Sequence, residues 1–374
     1  MIFNLTSFTN YNLNDFFSIG IIGFILIFAI AIDLIFGELP TKIHPVVIIG
    51  KFIDYFTKYF IKIKSKFSGL YLTLSVTILS LSIAIIIFLT LTINFYIFII
   101  ASILILSSMF SFKLLLSSAN DIKNDLSIDI NKARKSVSYL VSRKTNELSE
   151  KLIISATIET LTENITDSCV SVFFYYLATG IITLFLTLTV SYFFNYTNFN
   201  NYNYYNNIII FINFINNYLF YLIAIVSILA AIFYRILNTL DAMVAYKNQK
   251  YMLIGYFPAK LDDLLNYIPS RFSGLMVIIS AFLLNLNWRN SYFIFKRDAK
   301  NCPSPNSGYT MSAAAGALEI QLKKEDVYTL GDENQELMID HIDKAIKLSR
   351  ISILLSVIVL LGIYYLILYF LLVV

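Results

Sequence analysis

Long apolar stretches alternate with shorter polar ones along this chain, and that alternation predicts its elements. A helix that crosses about 30 Å of hydrocarbon, rising about 1.5 Å per residue, needs about 20 apolar residues. Stretches of this kind occupy 19–36, 70–90, 93–112, 170–194, 208–233 and 351–374. The region 70–112 holds no charged residue and reads as two spans joined by a tight hairpin near 92–95. A further stretch, 272–288, lies at the short limit for a span and reads as a re-entrant or core helix. The predicted fold class is therefore all-α: a polytopic helical membrane protein with about six transmembrane helices, forming one integral membrane domain over 1–374.

Composition agrees. Apolar residues make up 58% of the 374, mean hydropathy is +0.72, and only 14% are charged, against about 25% in an ordinary soluble domain. Too few charges exist to cover a water-facing surface, which excludes a soluble globular enzyme and a disordered chain. A net charge of +4 is too small for a nucleic-acid partner. The partner that composition implies is the lipid bilayer. Cys169 and Cys302 are too scattered for a disulfide framework, and with His44 and His341 they lack the spacing of a zinc site.

The charges have a side. Six of the Lys and Arg residues lie in 37–69, eight in 113–168 and fourteen in 233–350, and none lies elsewhere. With six spans these segments share one face. The positive-inside rule makes that face cytoplasmic and locates the protein in the cell membrane, with its chemistry facing the cytoplasm. The Asn/Tyr-rich loop 195–207 falls on the other side.

Within the cytoplasmic segments the polar groups cluster at helical spacing. Glu159, Glu163 and Asp167 recur every fourth residue and make one acidic stripe, with Asn164 beside it. Like charges at that spacing repel. The stripe is either a site for a cation such as Mg²⁺, which favours carboxylate oxygens, or an exposed acidic face at a helix end. Asn238, Asp241 and Asn248 form a second stripe, suited to a polar ligand or to the membrane edge. Asp262 and Asp263 follow Pro258 and Lys260. They form an adjacent carboxylate pair for metal or general-base work, or simply acids favoured in the first turn of a helix. Arg297-Asp298 precedes Ser304-Pro-Asn306-Ser-Gly308, a rigid turn leading into the nearly bare segment 312–317. Such a segment presents backbone N–H groups to an anion or allows close helix packing. His44 lies just inside the first span. No Walker loop, dinucleotide fingerprint, G-x-S-x-G or H-E-x-x-H motif occurs.

Together these segments resemble one family. Asp33-Leu-Ile-Phe-Gly37 with His44-Pro45, Val141-Ser-Arg143-Lys-Thr145, and Glu159-Thr-Leu-Thr-Glu163-Asn164-Ile-Thr-Asp167 are similar to its first three motifs. Asn238-Thr-Leu-Asp241 through Tyr246-Lys247-Asn248 resembles N-T-L-D-S-M-V-G-Y-K/R-N. Ala259-Lys260-Leu-Asp262-Asp263, Ile268-Pro269-Ser-Arg271, Arg297-Asp298-Ala and Ser304-Pro305-Asn306-Ser-Gly308 resemble A-R-L-D-D, I-P-A-R, R-D-A and S-P-N-A/S-G. The order and spacing are those of the membrane-bound adenosylcobinamide-phosphate synthases of cobalamin biosynthesis, the CobD/CbiB family. Lys144, Ala245 and Cys302 depart from the family's usual Asp, Gly and His.

The resemblance implies an ATP-dependent amide-forming ligase. It would join (R)-1-aminopropan-2-ol, or its phosphate, to a propionate carboxylate of adenosylcobyric acid. ATP and Mg²⁺ are the implied cofactors, and other corrinoid-pathway enzymes are candidate partners. It points to Glu159, Glu163, Asp167, Asp241, Asp262 and Asp263 as catalytic, with Glu163, Asp167 and Asp263 on the metal. For substrate binding it points to His44, Arg143, Asn164, Asn238, Lys247, Asn248, Lys260, Arg271, Arg297, Asp298, Ser304 and Asn306. These groups are expected to converge in one polar cleft at the cytoplasmic boundary, with the small residues 313–317 leaving room for the corrinoid. Two other readings fit the hydropathy: a transporter with a polar vestibule, and a membrane prenyltransferase, for which the paired Asp-rich motif is absent.

Overall fold

The computed structural model describes residues 13–141, 143–196, 218–246 and 248–372. Fourteen α-helices and one short hairpin order this part of the chain. In sequence they are α1 (Leu13–Phe36), α2 (Pro45–Phe60), α3 (Phe67–Leu91), α4 (Phe95–Ser107), α5 (Phe112–Ile128), α6 (Ile130–Ser138), α7 (Glu150–Ile165) and α8 (Ser171–Tyr196). Then come α9 (Leu219–Val244), α10 (Tyr256–Leu265), α11 (Tyr267–Leu283), α12 (Trp288–Asp298) and α13 (Gly308–Leu318). The strands β1 (Leu322–Lys324) and β2 (Tyr328–Leu330) precede α14 (Asp340–Leu372).

Local chemistry sets the starts. His44 caps α2 by accepting the Val46 N–H at Nδ1, with Pro45 in the first turn, where its missing N–H costs nothing. Asn94 accepts the N–H groups of Tyr96 and Ile97 and fixes the tight turn between α3 and α4. Ser149 caps α7. A remote cap holds α5: Asp33, fully buried on α1, accepts the Lys113 N–H at 2.8 Å.

Five helical runs among the described residues are long and apolar enough to cross a membrane: Phe67–Leu91, Phe95–Ile128, Glu150–Val190, Leu219–Val244 and Asp340–Leu371. The bent pair α10–α11 makes a sixth if counted as one span. Their outward faces carry exposed apolar side chains such as Ile86, Phe185, Phe282 and Phe370, which suits lipid rather than water. The multi-pass helical architecture is the expected one, but the ends of the runs differ. The expected span 93–112 falls in the run Phe95–Ile128, which α4 and α5 make together across the short break 108–111, and 170–194 lies in a run that begins at Glu150 on α7 and passes into α8. The expected 19–36 lies on α1, whose described apolar part is the shorter Gly20–Phe36. The stretch 272–288 lies mostly on α11, bent 49° from α10, the geometry of a broken span or a re-entrant loop. Residues 208–217 and most of the loop 195–207 fall outside the described residues.

Two features were not expected. A π-helical turn, Thr166–Val170, joins α7 to α8 and carries Asp167. The hairpin β1–β2 pairs Leu322 with Leu330, Lys323 with Thr329 and Lys324 with Tyr328.

Helix α13 is buried along its whole length. A Cβ on Gly316 would stand 2.7 Å from the Asn290 carbonyl oxygen and 2.8 Å from the Ser291 Cα. The small residues 313–317 thus allow close approach of α12. They do not leave room for a corrinoid, which corrects that expectation.

Candidate functional site

Five carboxyls from four elements gather where α7, the π-turn after it, α9 and α10 meet. Asp167 lies within Coulombic range of Asp262, Glu163 and Asp241, and of the Arg235 guanidinium. Asp241 in turn feels Asp262, Asp263 and Glu163. Glu163 and Asp167 are half-buried. No described side chain donates a hydrogen bond to Glu163, Asp167 or Asp241, whereas buried polar groups are ordinarily paired. Unpaired acids of one sign in partial burial call for a cation or a reacting group.

Asp262 is held differently. Its carboxylate accepts from Asn266 Nδ2 at 3.0 Å and from Asn238 Nδ2 at 3.5 Å. Asn266, 1% exposed, accepts at Oδ1 from Ser171 at 2.7 Å and Tyr234 at 2.9 Å. This network runs through α8, α9 and α10 and orients Asp262 toward Asp167. Neighbouring residues on a helix point about 100° apart, so Asp263 takes a different direction from Asp262: it lies 3.7 Å from the exposed Lys260 and still within range of Asp241. The expected trio Glu163, Asp167 and Asp263 is therefore not a pre-formed metal group. Among the described residues no three His, Cys, Asp or Glu side chains are arranged as one.

Glu159 has another fate. It is 2% exposed and fully engaged. Arg143 pairs with its Oε2, Tyr328 donates to the same oxygen at 2.8 Å, and Ser155 donates to Oε1 at 2.6 Å. Ser155 also accepts the Lys323 N–H at 2.9 Å. Glu159 and Arg143 thus pin the hairpin to α7 instead of opening into the cluster. The hairpin register places Lys324 opposite Tyr328 on one face of the ribbon. Lys324 therefore comes within Coulombic range of Glu163.

The Ser304–Asn306 turn reaches the same region. Asn306, 6% exposed, donates from Nδ2 to the Asp263 carbonyl at 2.7 Å and accepts from Arg271 Nη1 at 3.2 Å. Ser304 accepts the Asn306 N–H and shapes the turn. The Arg271 guanidinium is sandwiched between Tyr267 and Tyr309, 3.5 and 4.3 Å from their ring centroids, so it is aimed before any ligand arrives. Cys302, beside the turn, lies within range of Glu163 and Glu159; burial pushes its thiol up to about 12. It stays a neutral thiol at neutral pH and is not a nucleophile.

Other expected residues lie apart. Arg297 spends its donors on two carboxylates, bonding Asp298 at 2.7 and 2.9 Å and Asp332 at 2.9 and 3.1 Å. Asp298 also accepts the Gly331 N–H at 2.8 Å. Arg297 and Asp298 therefore clasp the end of the hairpin, and no guanidinium face is left for phosphate. Asn164 donates to the Thr160 carbonyl on its own helix and accepts from Ser168 on the π-turn that follows. Exposed Asn248 caps its own turn by accepting the Tyr251 N–H. His44 is a helix cap whose ring burial holds below the usual histidine range, with Glu38 and Arg235 nearby. Lys247 falls outside the described residues.

Three residues near the carboxyls were missed by sequence reasoning: Arg235, Lys324 and Asn266. Arg235 bonds Asn238 at 3.1 Å and faces Asp167. A lone arginine in the apolar run Leu219–Val244 was an available signal, since charge inside such a run is costly unless it has work to do. Lys324 had none, because its place depends on the hairpin.

The family described as "CobD/Cbib protein" matches residues 26–193 and 216–358. A probable cobalamin biosynthesis protein CobD of Methanothermobacter thermautotrophicus is 38% identical over 88% of this chain and 94% of its own length. One from Methanococcus aeolicus is 34% identical over 92% of this chain and 98% of its own. A cobalamin biosynthesis protein CobD of Leptospira interrogans is 31% identical over 88% and 93%. No solved structure matches. The matched ranges take in the carboxyl cluster, the Glu159 clasp and the Ser304–Asn306 turn alike, and by that coverage the chain belongs to the CobD/CbiB family.

Proposed function

We propose that this protein acts in cobalamin biosynthesis as an ATP-dependent amide ligase. It would join (R)-1-aminopropan-2-ol, or its phosphate, to the free propionate carboxylate of adenosylcobyric acid. The observation that carries this reading is the set of carboxyls Glu163, Asp167 and Asp241, to which no described side chain donates a hydrogen bond, with Arg235 beside Asp167 and Lys324 beside Glu163.

An amine attacks only after its ammonium loses a proton, and an unpaired carboxylate is the group to take it. ATP would supply the phosphoryl group that activates the propionate, with Mg²⁺ as counter-charge. The residues fit that pair. Mg²⁺ characteristically takes one or two protein carboxylates and completes its shell with phosphate oxygens and water, so a ready-made trio of ligands is not required. Glu163, Asp167 and Asp241 offer free oxygens to such an ion. Arg271, held planar between two tyrosines, offers a fixed fork to phosphate, and Lys324 adds a point charge beside Glu163. Asp262, tied to Asn238 and Asn266, holds the geometry. Half-burial against apolar helices limits the access of water to the activated carboxyl.

The test is turnover by purified protein given adenosylcobyric acid, ATP, Mg²⁺ and aminopropanol phosphate, with aminopropanol in parallel. Amide product that depends on both ATP and protein supports the reading; its absence with both amines overturns it. We further propose that the site faces the cytoplasm, because every Lys and Arg lies in the three segments assigned there. In sealed cells an impermeant maleimide should label Asn200→Cys and spare Ser304→Cys. Labelling of the latter would mean that the bent pair α10–α11 crosses the bilayer and the orientation is wrong.

A further inference from the structure

A groove of about 470 Å³ lies between α5, α14 and the end of α1, on a face of the molecule not used above. Its walls are of two kinds. Leu34, Leu116 and Ile346 line it with apolar surface, and Lys113, Lys347 and Arg350 line it with positive charge. Its one acid, Asp343, is already committed to Lys123 at 2.8 Å. Lys347 and Arg350 are exposed and make no ion pair with a described residue.

The level of the groove along the molecule matters most. Arg350 is the last charged residue of the chain, and everything after it is apolar or neutral. Leu34 stands at the end of the apolar part of α1, followed by Ile35 and Phe36 at 66% and 77% exposure. Two independent helices therefore change from water-compatible to lipid-compatible at this depth. A cationic groove with apolar walls at that level fits a molecule with an anionic head and an apolar body. Ser117 and Asn120, on the same wall of α5, add polar atoms for a head group.

We propose that this groove is a binding site for an anionic phospholipid, whose phosphate sits among Lys113, Lys347 and Arg350 and whose acyl chains leave along the apolar faces of α1 and α14. Basic recesses between membrane helices hold anionic head groups by this combination of charge and depth. The site rests on the reading of the last helix as membrane-spanning and is independent of the ligase reading.

Binding can be read without any assay of turnover. The purified full-length protein is titrated with phosphatidylglycerol or phosphatidylcholine in detergent, and retained lipid is counted by native mass spectrometry. Phosphatidylglycerol should bind about tenfold more tightly than phosphatidylcholine, and Lys347→Ala/Arg350→Ala should erase most of that preference. Lys62→Ala/Lys64→Ala, which removes two exposed charges outside the groove, should leave it intact. Ser117→Trp, which fills the groove and keeps every charge, should also weaken retention and serves if the double variant does not fold. Unchanged retention in the groove variants overturns the proposal. So does displacement of phosphatidylglycerol by equimolar inorganic phosphate or ATP, which would mark a site for soluble phosphate.

Discussion

Glu159 and Glu163 are one helical turn apart on α7, yet they do opposite things. Glu159 is closed in by an arginine, a tyrosine and a serine and holds a hairpin in place. Glu163 has no hydrogen-bond partner among the described side chains and looks toward Asp167, Asp241 and Asp262 across the helix junction. Between them and Asp167 the helix widens into a π-turn, a feature common at functional sites. Asp167 consequently faces Arg235 and the carboxyls of α9 and α10 and does not continue a straight stripe. Spacing alone makes the three acids equivalent. Their partners separate them, and it is the unpaired group that marks the site.

The strongest test of this contrast removes the unpaired charges. Glu163→Gln or Asp167→Asn should lower turnover by about 10²–10⁴-fold with a melting temperature equal to or above that of the parent, since like-charge repulsion is relieved. Near-normal turnover in both variants would erase the distinction. Its mirror image is Glu159→Ala, which leaves the half-buried Arg143 guanidinium without its carboxylate and should cost about 3 kcal/mol in stability, seen as a lower melting temperature and faster proteolysis of the hairpin. Tyr328→Phe, which removes one of the three contacts, should cost about 1 kcal/mol.

Arg271→Lys keeps the charge and loses the flat stacked fork. The expected result is a KM for the phosphate-bearing substrate raised about tenfold, with kcat within about twofold. Equal losses in both would move Arg271 from binding to structure. The smallest effect concerns His44. Burial lowers its folded pKa below the ordinary 6.5, so the unfolded chain takes up the proton first. Its contribution is intact above about pH 6.5 and is lost as pH falls toward the folded value. His44→Asn keeps a cap and should melt with less acid sensitivity than the parent between about pH 7 and pH 5.

What could be read from the sequence follows from range. Apolar runs announce their own helices, so the spans and the all-α class were legible. Their ends were not, because the helical runs reach out to Ile128 and Glu150 through charged residues that hydropathy keeps out of a span. The carboxyls were legible as residues, since acids clustered in a membrane chain need a cause. Which of them are free was not, because the answer for Glu159 depends on Tyr328, 169 positions away. The Arg297–Asp298 pair shows the same limit: its motif is local, but its partners Asp332 and Gly331 arrive with the hairpin. Strands of three residues are too short for a period-two pattern to show.

The distance between Glu159 and Tyr328 also sets an order of events on the ribosome. Helix α7 is synthesised long before the hairpin whose Tyr328 completes the bonding of Glu159. At about 5–20 residues per second, the gap of 169 positions corresponds to roughly 10 to 30 s of translation. During that interval Glu159 has no Tyr328, and the hairpin that carries Lys324 does not exist. Arg143 and Ser155 are at hand from the start, so Glu159 waits in a half-made clasp while α8 is synthesised behind it, and the clasp closes only once β2 has emerged.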